Sequence, residues 1–258
     1  MAHVSFSALK NWNQCPFYYK LTYVDRIKGF EGNQYTAFGT ALHTVCENVL
    51  NGNQESPQSM FDTEFLKELQ SLPEGVRSEI TTKTITDMRD AGKRLSVAAV
   101  PSLKDTFGDF ELIATEEELM EVIELEQSQG YKFKGFIDLV IKTSDGKIHI
   151  IDWKTCSWGW DAQRRADPMT TYQLTYYKHF YAQKFNVDPK DIETHFALLK
   201  RTAKKDIVEI FRVTSGPKKT SNALNLLNKA LYNINNQNFV KNKLACAKCE
   251  FKGTSHCP

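Results

Sequence analysis

Three charged residues lie in and beside two apolar segments near the middle of the chain. Within residues 135–155, GFIDLVIKTSDGKIHIIDWKT, Asp138 interrupts the first apolar run, and Asp152 and Lys154 close the second. A Ser-Asp-Gly turn at 144–146 separates the two runs, which together predict a β-hairpin. Since neighbouring strands lie about 4.8 Å apart, the two carboxylates of such a hairpin can reach the same ion.

This combination of residue types is suited to phosphodiester cleavage. Residues two apart in a strand share a face, so Lys154 is expected on the same side as Asp152. Two carboxylates can hold a hard divalent cation, which polarises a phosphoryl oxygen and makes a water molecule easier to deprotonate. The lysine would then orient that water or stabilise the negative charge that develops on the phosphate.

A surface hairpin is the alternative interpretation of the same residues. Asp-x-Lys is a common tripeptide, and Asp152 and Lys154 taken alone can simply face water. Asp138 argues against this alternative, because a carboxylate buried in a strand without a partner costs on the order of several kcal/mol. We therefore expect a compensating cation beside Asp138.

The elements that must position these residues follow from hydrophobic periodicity and from turn signals. The N-terminal segment predicts a short helix capped at Ser5 or Ser7 and broken at Pro16. The periodicity predicts helices at 36–50, at 60–105 with a break at 72–75, at 169–185 and at 218–239. Strands are predicted at 110–125, 131–141, 147–153, 193–200 and 206–213. This order of elements indicates an α/β fold with a mixed sheet.

The composition is that of an ordinary globular protein. The chain has 258 residues, 41% hydrophobic and 25% charged, and no Gly/Ser/Pro-rich linker divides it, so we expect one domain over 1–258. Its apolar segments are shorter than the ~20 residues that span a bilayer, and it has no signal-peptide pattern. We expect a cytoplasmic protein with no membrane partner. The net charge of +2 is uninformative about nucleic acid, since local lysine clusters are either solvated faces or phosphate contacts.

The cysteines suggest a bound group. There are six, and three of them crowd into the C-terminal sequence CAKCEFKGTSHCP. In a reducing compartment, ligation of a metal or a cluster is a better expectation than a disulfide framework. A set of free thiols in the tail is the remaining alternative.

The hairpin resembles the catalytic core of the PD-(D/E)XK nuclease superfamily, in its RecB-like branch. The resemblance of GFIDLVI and IHIIDWKT to that core implies that Asp138 and Asp152 are metal ligands and that Lys154 is the catalytic lysine. The family often has a further glutamate on the preceding strand. We assign it to Glu116, in the run of three glutamates within ATEEEL.

Two helical motifs extend the resemblance along the chain. FGTALH resembles the first helix motif of the family, which implies His43 as a metal ligand. YQLTYY resembles a downstream helix motif, which implies that Gln173 and Tyr176 help to position DNA and the active site. Taken singly, His43 is more often a structural histidine, and Gln173 and Tyr176 form an ordinary i, i+3 pair. The order of the four motifs supports the family assignment.

The resemblance implies a restriction-endonuclease-like core, with a central mixed β-sheet flanked by helices. Residues 50–108 have no counterpart in the resemblance, and we expect them to form a helical insert that shapes the access of DNA.

Some members of this branch carry a [4Fe–4S] cluster held by one N-terminal and three C-terminal cysteines. NQCPFYYKLTY resembles the N-terminal signature, which implies the ligand set Cys15, Cys246, Cys249 and Cys257, although the last gap is longer than expected. Four thiolates suit a [4Fe–4S] cluster or tetrahedral zinc, and the resemblance favours the cluster. Joining 1–30 to 240–258 as a terminal subdomain could contribute roughly 4–5 kcal/mol, by analogy with a disulfide over a long loop.

The resemblance also implies a function. The branch includes AddB-type recombination nucleases and CRISPR-associated adaptation nucleases of the Cas-four group. It implies a Mg²⁺- or Mn²⁺-dependent DNA nuclease, more specifically an exonuclease on single-stranded ends, in DNA recombination, repair or processing. Aromatic residues near the motifs are candidates for stacking on unpaired bases, namely Trp153, Trp158, Trp160, Tyr172, Tyr176 and Tyr177.

Two other function classes are open at this point. One is a catalytically silent DNA-binding or scaffold protein, with zinc in place of the cluster. The other is a component of a larger DNA-processing machine with a helicase, recombination or CRISPR adaptation partner. The sequence has no G-x-x-x-x-G-K-[ST] loop, so any ATP-driven unwinding would have to come from such a partner.

Overall fold

A six-stranded mixed sheet runs through the centre of the protein. The computed structural model describes residues 2–258 and their side chains, except the side chain of Lys248. The strands are β1 (His3–Ser5), β2 (Phe110–Val122), β3 (Lys132–Thr143), β4 (Ile148–Cys156), β5 (Ile192–Lys200) and β6 (Val208–Val213). Their order is β1-β3-β4-β5-β6, with β2 paired to β3 outside this path. The β1–β3 and β4–β5 pairs are parallel and the others antiparallel, which confirms the predicted mixed sheet.

Ten α-helices accompany the sheet within residues 2–258. They are α1 (Phe6–Gln14), α2 (Pro16–Tyr19), α3 (Gln34–Leu50), α4 (Pro57–Ser71), α5 (Glu74–Ser78), α6 (Thr82–Ala98), α7 (Pro101–Phe107), α8 (Ala162–Ala166), α9 (Pro168–Phe185) and α10 (Pro217–Asn235). Helices α4 to α7 account for most of the region predicted to be a helical insert. Of the helices in the described part of the chain, none has the length and apolar character needed to span a bilayer.

The sheet separates two apolar cores. The first core packs α1, α9 and α10 against one face and includes Ile150 of β4. The second packs α3, α4, α6 and α7 against the opposite face and includes Ile151 and Trp153 of the same strand. Because β4 is covered on both faces, its apolar run is nearly continuous instead of alternating.

Helix α3 is fixed at its start and pressed closely onto β4. The Asn33 side chain accepts hydrogen bonds from the backbone of Tyr35 and Thr36, and the Thr36 hydroxyl oxygen accepts one from the backbone N–H of Asn33, which forms a capping box. Further along α3, a Cβ at Gly39 would lie 3.3 Å from Thr155 Oγ1, so the missing side chain permits this approach. The FGTALH sequence is thereby held against the end of β4.

The strand β1 was not predicted from the sequence. The segment His3–Ser5 is short, and it forms a strand because it pairs in parallel with Lys132–Lys134 of β3. β2 occupies one edge of β3 along its whole length, so β1 and β4 share the other edge at opposite ends. The other predicted strands and the long helices lie within a few residues of their predicted bounds.

The two ends of the chain are in contact. One carboxylate oxygen of Glu250 accepts hydrogen bonds from the Tyr18 hydroxyl (2.8 Å) and from the backbone of Phe30 (2.9 Å). The side chain of Asn242 donates to the carbonyl of Gln14 at 2.8 Å. The described structure therefore places segments 1–30 and 240–258 next to each other. These are the segments predicted to form one terminal subdomain.

The packing of α6 on α4 predicts a marked sensitivity at Gly92. A Cβ at this position would lie 2.0 Å from Phe61 Cε1 and Cζ, and Phe61 is 0% exposed, so its ring has no room to retreat. We expect Gly92→Ala to lower the melting temperature, because overpacking costs about 1–3 kcal/mol and exceeds the roughly 1 kcal/mol of helix propensity that alanine gains. Thermal and urea unfolding measure the change.

Gly75→Ala in α5 is the matched control, since no atom lies within 4 Å of its Cβ position. We expect this variant to be as stable as the wild type or slightly more stable. A Gly92→Ala variant as stable as Gly75→Ala would contradict the close packing of α4 and α6.

Candidate active site

The strands β3 and β4 separate at the two aspartates. Their ladder pairs Lys142 with Ile148 at one end and Leu139 with Ile151 at the other. The next residues in this register are Asp138 and Asp152. Beyond the last pair, Asp138 Oδ2 accepts a hydrogen bond of 2.7 Å from the backbone N–H of Trp153. Where the two strands part, the Asp138 carboxylate thus accepts a backbone hydrogen bond that a strand carbonyl would accept in a continuing ladder.

Glu116 stands beside Asp138 on the neighbouring strand. The pairs that flank it are Thr115 with Leu139 and Glu117 with Ile137, so Glu116 is opposite Asp138 in register. Its φ of 50° is in the left-handed region, which a non-glycine residue in a strand rarely adopts. Such a conformation costs on the order of 1–3 kcal/mol and is often found at functional sites. No sequence pattern indicates this backbone conformation.

His43 reaches this group from helix α3. Its Nδ1 lies 3.5 Å from Asp138 Oδ2. One ligand atom each of His43, Glu116 and Asp138 lies within 4.8 Å of the others, a spacing at which the three can contact one ion. The structure therefore brings together three residues that are 73 and 22 positions apart in the sequence.

Asp152 and Lys154 form a buried ion pair on the next strand. Lys154 Nζ lies 2.5 Å from Asp152 Oδ2, and the two side chains are 31% and 1% exposed. The Lys154 ammonium is the partner of Asp152 Oδ2, and no further hydrogen bond reaches this oxygen from the described residues. A buried carboxylate is a natural ligand for a cation, because burying it without a compensating charge is costly.

Burial and mutual repulsion change the proton affinities of these groups. Burial, followed by the charge of Asp152, raises the pKa of Asp138 to about 8. Burial and the nearby Asp138 also raise the pKa of Glu116. Burial lowers the pKa of His43, which keeps its ring neutral. For Lys154, burial disfavours the charged form, but Asp152 and Asp138 outweigh it and raise the pKa of this lysine.

The donor set fits a hard divalent cation. Three carboxylates, from Glu116, Asp138 and Asp152, share the site with a single lysine, so they carry more negative charge than it compensates. Carboxylate oxygens are the ligands preferred by Mg²⁺ and Mn²⁺. The buried carboxylate of Asp152 and the neutral ring of His43 complete an arrangement that can accept such an ion.

Helix α9 contributes Gln173 and Tyr177 to the surroundings of the site. Gln173 Nε2 donates a hydrogen bond of 3.0 Å to the Tyr177 hydroxyl. The Tyr177 ring packs on Gly135 of β3, where a Cβ would lie 2.8 Å from Tyr177 Cε1. Burial, and then the charge of Asp152, raise the pKa of Tyr177, so its hydroxyl keeps its proton.

Tyr176, the tyrosine singled out from the sequence, is not part of this group. It is 0% exposed, and its hydroxyl donates to the carbonyl of Ala223 on α10. The structure thus places Tyr177 beside the carboxylates and Tyr176 in the first apolar core. Tyr176 at i, i+3 and Tyr177 at i, i+4 are both helical neighbours of Gln173, so sequence spacing does not choose between them.

The four cysteines implied by the resemblance line one cavity between the two ends of the chain. Cys15, Cys246, Cys249 and Cys257 surround a volume of about 100 Å³. The backbone N–H of Asn242 donates a hydrogen bond of 3.4 Å to Cys15 Sγ. The other two cysteines lie elsewhere, since Cys46 is fully buried in the second core and Cys156 ends β4. The structure brings together all four cysteines of the predicted set.

The chain is similar to known proteins over nearly its whole length. A model of the PD-(D/E)XK nuclease superfamily matches residues 3–257. The crystal structure of a candidate exonuclease from Eubacterium rectale aligns with a TM-score of 0.59 and 13% identity, over 96% of this chain and 86% of that chain. The crystal structure of SSO0001 aligns with a TM-score of 0.40 and 19% identity, over 82% of this chain and 92% of that chain. No curated protein matches the sequence.

These matches identify the fold and the family. At 13% identity, the alignment with the Eubacterium rectale structure shows a shared fold, which agrees with the predicted restriction-endonuclease-like architecture. The match to the family model extends over nearly the whole chain and includes every motif singled out above. The chain therefore belongs to the PD-(D/E)XK nuclease superfamily.

Proposed function

We propose that the protein is a Mg²⁺- or Mn²⁺-dependent deoxyribonuclease, and specifically an exonuclease on single-stranded ends. The observation that carries the proposal is the meeting of Asp138, Asp152 and Lys154 where β3 and β4 separate. His43 and Glu116 complete the ligand set from α3 and β2. Phosphodiester hydrolysis by this mechanism needs metal ligands and a positively charged lysine at one point.

Each side chain of the site has a distinct role in the proposed reaction. A divalent ion, when bound, supplies Lewis-acid stabilisation of the charge on the phosphate. Asp138, Asp152, Glu116 and His43 would hold it, and His43 can do so because its ring is neutral. Lys154 keeps its proton and presents a positive charge to the developing negative charge on the phosphate. Asp152 fixes the position of that ammonium group through their ion pair.

Helix α9 supplies a hydrogen-bond donor to the same region. Because Gln173 donates to the Tyr177 oxygen, the hydroxyl hydrogen of Tyr177 is free to point elsewhere. We assign Tyr177 to positioning the substrate or the carboxylates and Gln173 to holding Tyr177 in place.

An aromatic and cationic surface at the end of β4 supports a single-stranded substrate. Trp158 follows β4 and is 67% exposed. Beside it, Arg201 donates to the Ser157 hydroxyl at 2.8 Å and stacks 4.5 Å from the ring centre of Tyr35, which is 49% exposed. Unpaired bases stack on exposed aromatic rings, and a guanidinium group can contact the phosphates between them. The other candidates Trp153, Trp160 and Tyr176 are buried in the cores.

We further propose that Cys15, Cys246, Cys249 and Cys257 hold a [4Fe–4S] cluster. A cavity needs about 10–15 Å³ to admit one water molecule, so the 100 Å³ space between these residues has room for a group of several atoms. The cluster would join the N-terminal segment to the C-terminal tail and has no role in the cleavage step. Zinc is the alternative occupant, since four thiolates also suit it.

The proposed place of the enzyme is in DNA recombination, repair or processing. Because the sequence lacks a phosphate-binding loop for ATP, a helicase or recombination partner would provide unwound ends. A catalytically silent DNA-binding role is less well supported, because Asp138, Asp152 and Lys154 are all present and close together.

The first prediction concerns cleavage. With Mg²⁺ or Mn²⁺, the wild type should degrade linear end-labelled single-stranded DNA faster than duplex DNA and should leave circular single-stranded DNA intact. Lys154→Ala should lower the rate by a factor on the order of 100 or more, the usual loss when a donor to a developing negative charge is removed. Initial rates on the three substrates, with and without EDTA, measure both effects.

Lys93→Ala is the matched control, because Lys93 also pairs with a carboxylate, Asp62, and is similarly exposed at 37%. It should cleave like the wild type. An inactive wild type, or Lys154→Ala with full activity, would refute the nuclease proposal. Cleavage of the circular substrate would refute only its exonuclease part.

The second prediction concerns pH and stability without metal. Asp138 keeps its proton in the folded state up to about pH 8, whereas the unfolded chain loses it near its ordinary value. Between these values the folded state binds more protons, so this residue makes the free energy of unfolding fall as the pH rises. In EDTA, the melting temperature of Asp138→Asn relative to the wild type should therefore increase from pH 5 to pH 8.

Added Mg²⁺ should stabilise the wild type more at pH 8 than at pH 5, since the ion competes with the proton. Asp62→Asn is the control, because the hydrogen bond with Arg89 lowers the pKa of Asp62 and keeps it ionised in both states from pH 5 to pH 8. That variant should lose the same stability at both pH values. A difference between Asp138→Asn and the wild type that does not change with pH would contradict the buried, repelled carboxylate.

The third prediction concerns the cysteine site. Protein purified without oxygen should show a broad brown absorption and should contain iron and acid-labile sulfide. Cys15→Ser should lose both, because the cluster loses one of its four thiolates. Cys156→Ser, a cysteine outside the cavity, should keep both. A colourless protein that loses one equivalent of zinc on Cys15→Ser but not on Cys156→Ser would show that zinc is the occupant.

A further inference from the structure

Two histidines and a glutamate form a compact cluster at the other end of β4. His149 of β4 is the direct neighbour of Glu193 on β5, and Ile151 is the neighbour of His195. Residues 149 and 151, and likewise 193 and 195, share a face of their strands. All three side chains of the cluster are therefore on the side of the sheet that carries the second apolar core. None of the three residues was predicted from the sequence to belong to a site.

Three ligand atoms of this cluster surround a single point. His149 Nδ1 lies 3.1 Å from His195 Nε2, and Glu193 Oε2 lies 3.9 Å from each of these nitrogens. A point equidistant from three atoms with these separations is about 2.1 Å from each of them. That is the bond length of zinc to imidazole nitrogen and to carboxylate oxygen. The separation of 3.9 Å is too long for a hydrogen bond, so the carboxylate oxygen approaches both rings without bonding to either.

The neighbouring groups orient the ligand atoms. Thr143 Oγ1 lies 3.0 Å from His149 Nε2 and donates its own hydrogen to Asp145 Oδ1 at 2.5 Å. It can then only accept from His149, so the ring proton is on Nε2 and Nδ1 presents a lone pair to the cluster. This carboxylate–hydroxyl–imidazole chain is the kind of outer contact that fixes a metal-binding histidine.

Glu193 is oriented in a similar way. Arg212 Nη2 lies 3.0 Å from Glu193 Oε1 in an ion pair, which leaves Oε2 directed at the two rings. Phe107, the last residue of α7, packs against both imidazoles, with ring centres 4.8 and 5.0 Å away. The side chains of His149 and His195 are 9% and 7% exposed, while Glu193 is 21% exposed. The cluster is thus covered by an aromatic ring but open to solvent at the carboxylate.

The rings are kept in the form that binds a metal. Burial, and then the neighbouring His149 and Arg212, lower the pKa of His195 to about 3, and burial also lowers that of His149. Both rings are therefore neutral at physiological pH. Two imidazoles with one carboxylate are a zinc ligand set, whereas Mg²⁺ and Mn²⁺ prefer oxygen ligands.

We propose that His149, Glu193 and His195 bind a zinc ion, at a site separate from the candidate active site and from the cysteine cavity. The ion takes the place of the proton on His195 Nε2, which moves to Nδ1 of the same ring, and it links β4 to β5 beneath Phe107 of α7. A water molecule on the solvent side completes its coordination. No described residue of the candidate active site belongs to this cluster.

Zinc binding by the full-length protein tests the proposal. Protein purified with its cysteine site occupied is washed with EDTA and titrated with Zn²⁺ by calorimetry, in excess Mg²⁺ to fill the oxygen-rich site. The wild type should bind one equivalent that Glu193→Gln binds at least about 100-fold more weakly, since even outer partners of metal ligands contribute 10–100-fold. Thr143→Val should bind about 10–100-fold more weakly, because it loses the contact that fixes the His149 tautomer.

His179→Gln is the matched control, a half-buried histidine of α9 outside the cluster, and it should bind zinc like the wild type. Glu193→Gln is close in shape to the native residue and should melt like the metal-free wild type, which separates lost binding from lost folding. It should also keep full Mg²⁺-dependent cleavage. Absence of the equivalent in the wild type, binding only at millimolar Zn²⁺, or equal affinities of the wild type and Glu193→Gln would overturn the proposal.

Discussion

The separation of β3 from β4 at Asp138 and Asp152 is the constraint on which the site depends. If the ladder continued past Leu139 and Ile151, the backbones of Asp138 and Asp152 would pair with each other. Because the strands part there, the carboxylate of Asp138 satisfies the N–H of Trp153, and both aspartates project into one space. Burial disfavours the charged form of Asp138, and the like charge of Asp152 repels it, so both raise the pKa of Asp138.

The apolar layers on both sides of the sheet sustain this unfavourable arrangement. β4 is buried by the first core through Ile150 and by the second through Ile151 and Trp153, so its position does not yield to the repulsion. The helices that complete the site come from opposite faces, with His43 on α3 and Tyr177 on α9. A glycine permits each close approach. Gly39 lets α3 approach β4, and Gly135 lets the Tyr177 ring approach β3. The stability of the cores is thus used to hold charged groups at fixed positions.

How far the sequence predicts this site depends on how local each feature is. Asp138, Asp152 and Lys154 lie in one hairpin, where strand parity and strand spacing are enough to bring them together. The choice between Tyr176 and Tyr177 was not available from periodicity, because α9 is buried around most of its circumference and has no distinct polar face. The left-handed backbone of Glu116 occurs where β2 lies opposite Asp138 of β3, and this pairing across the sheet has no local sequence signal. The cluster of His149, Glu193 and His195 requires the β4–β5 pairing, which no local pattern specifies.

The strand β4 contributes to two proposed cation sites with different chemistry. Asp152 and Lys154 belong to a site of carboxylates, whereas His149, three residues or about 10 Å earlier, belongs to a site of two imidazoles and one carboxylate. Hard ions prefer the first set and zinc prefers the second, so the two sites can be filled at the same time without exchanging their ions. A zinc ion that ties β4 to β5 would resist sliding of β4, and a shift of one residue would turn Asp152 to the opposite face of the sheet. The proposed zinc site therefore supports the active site through strand register, without contact with the substrate.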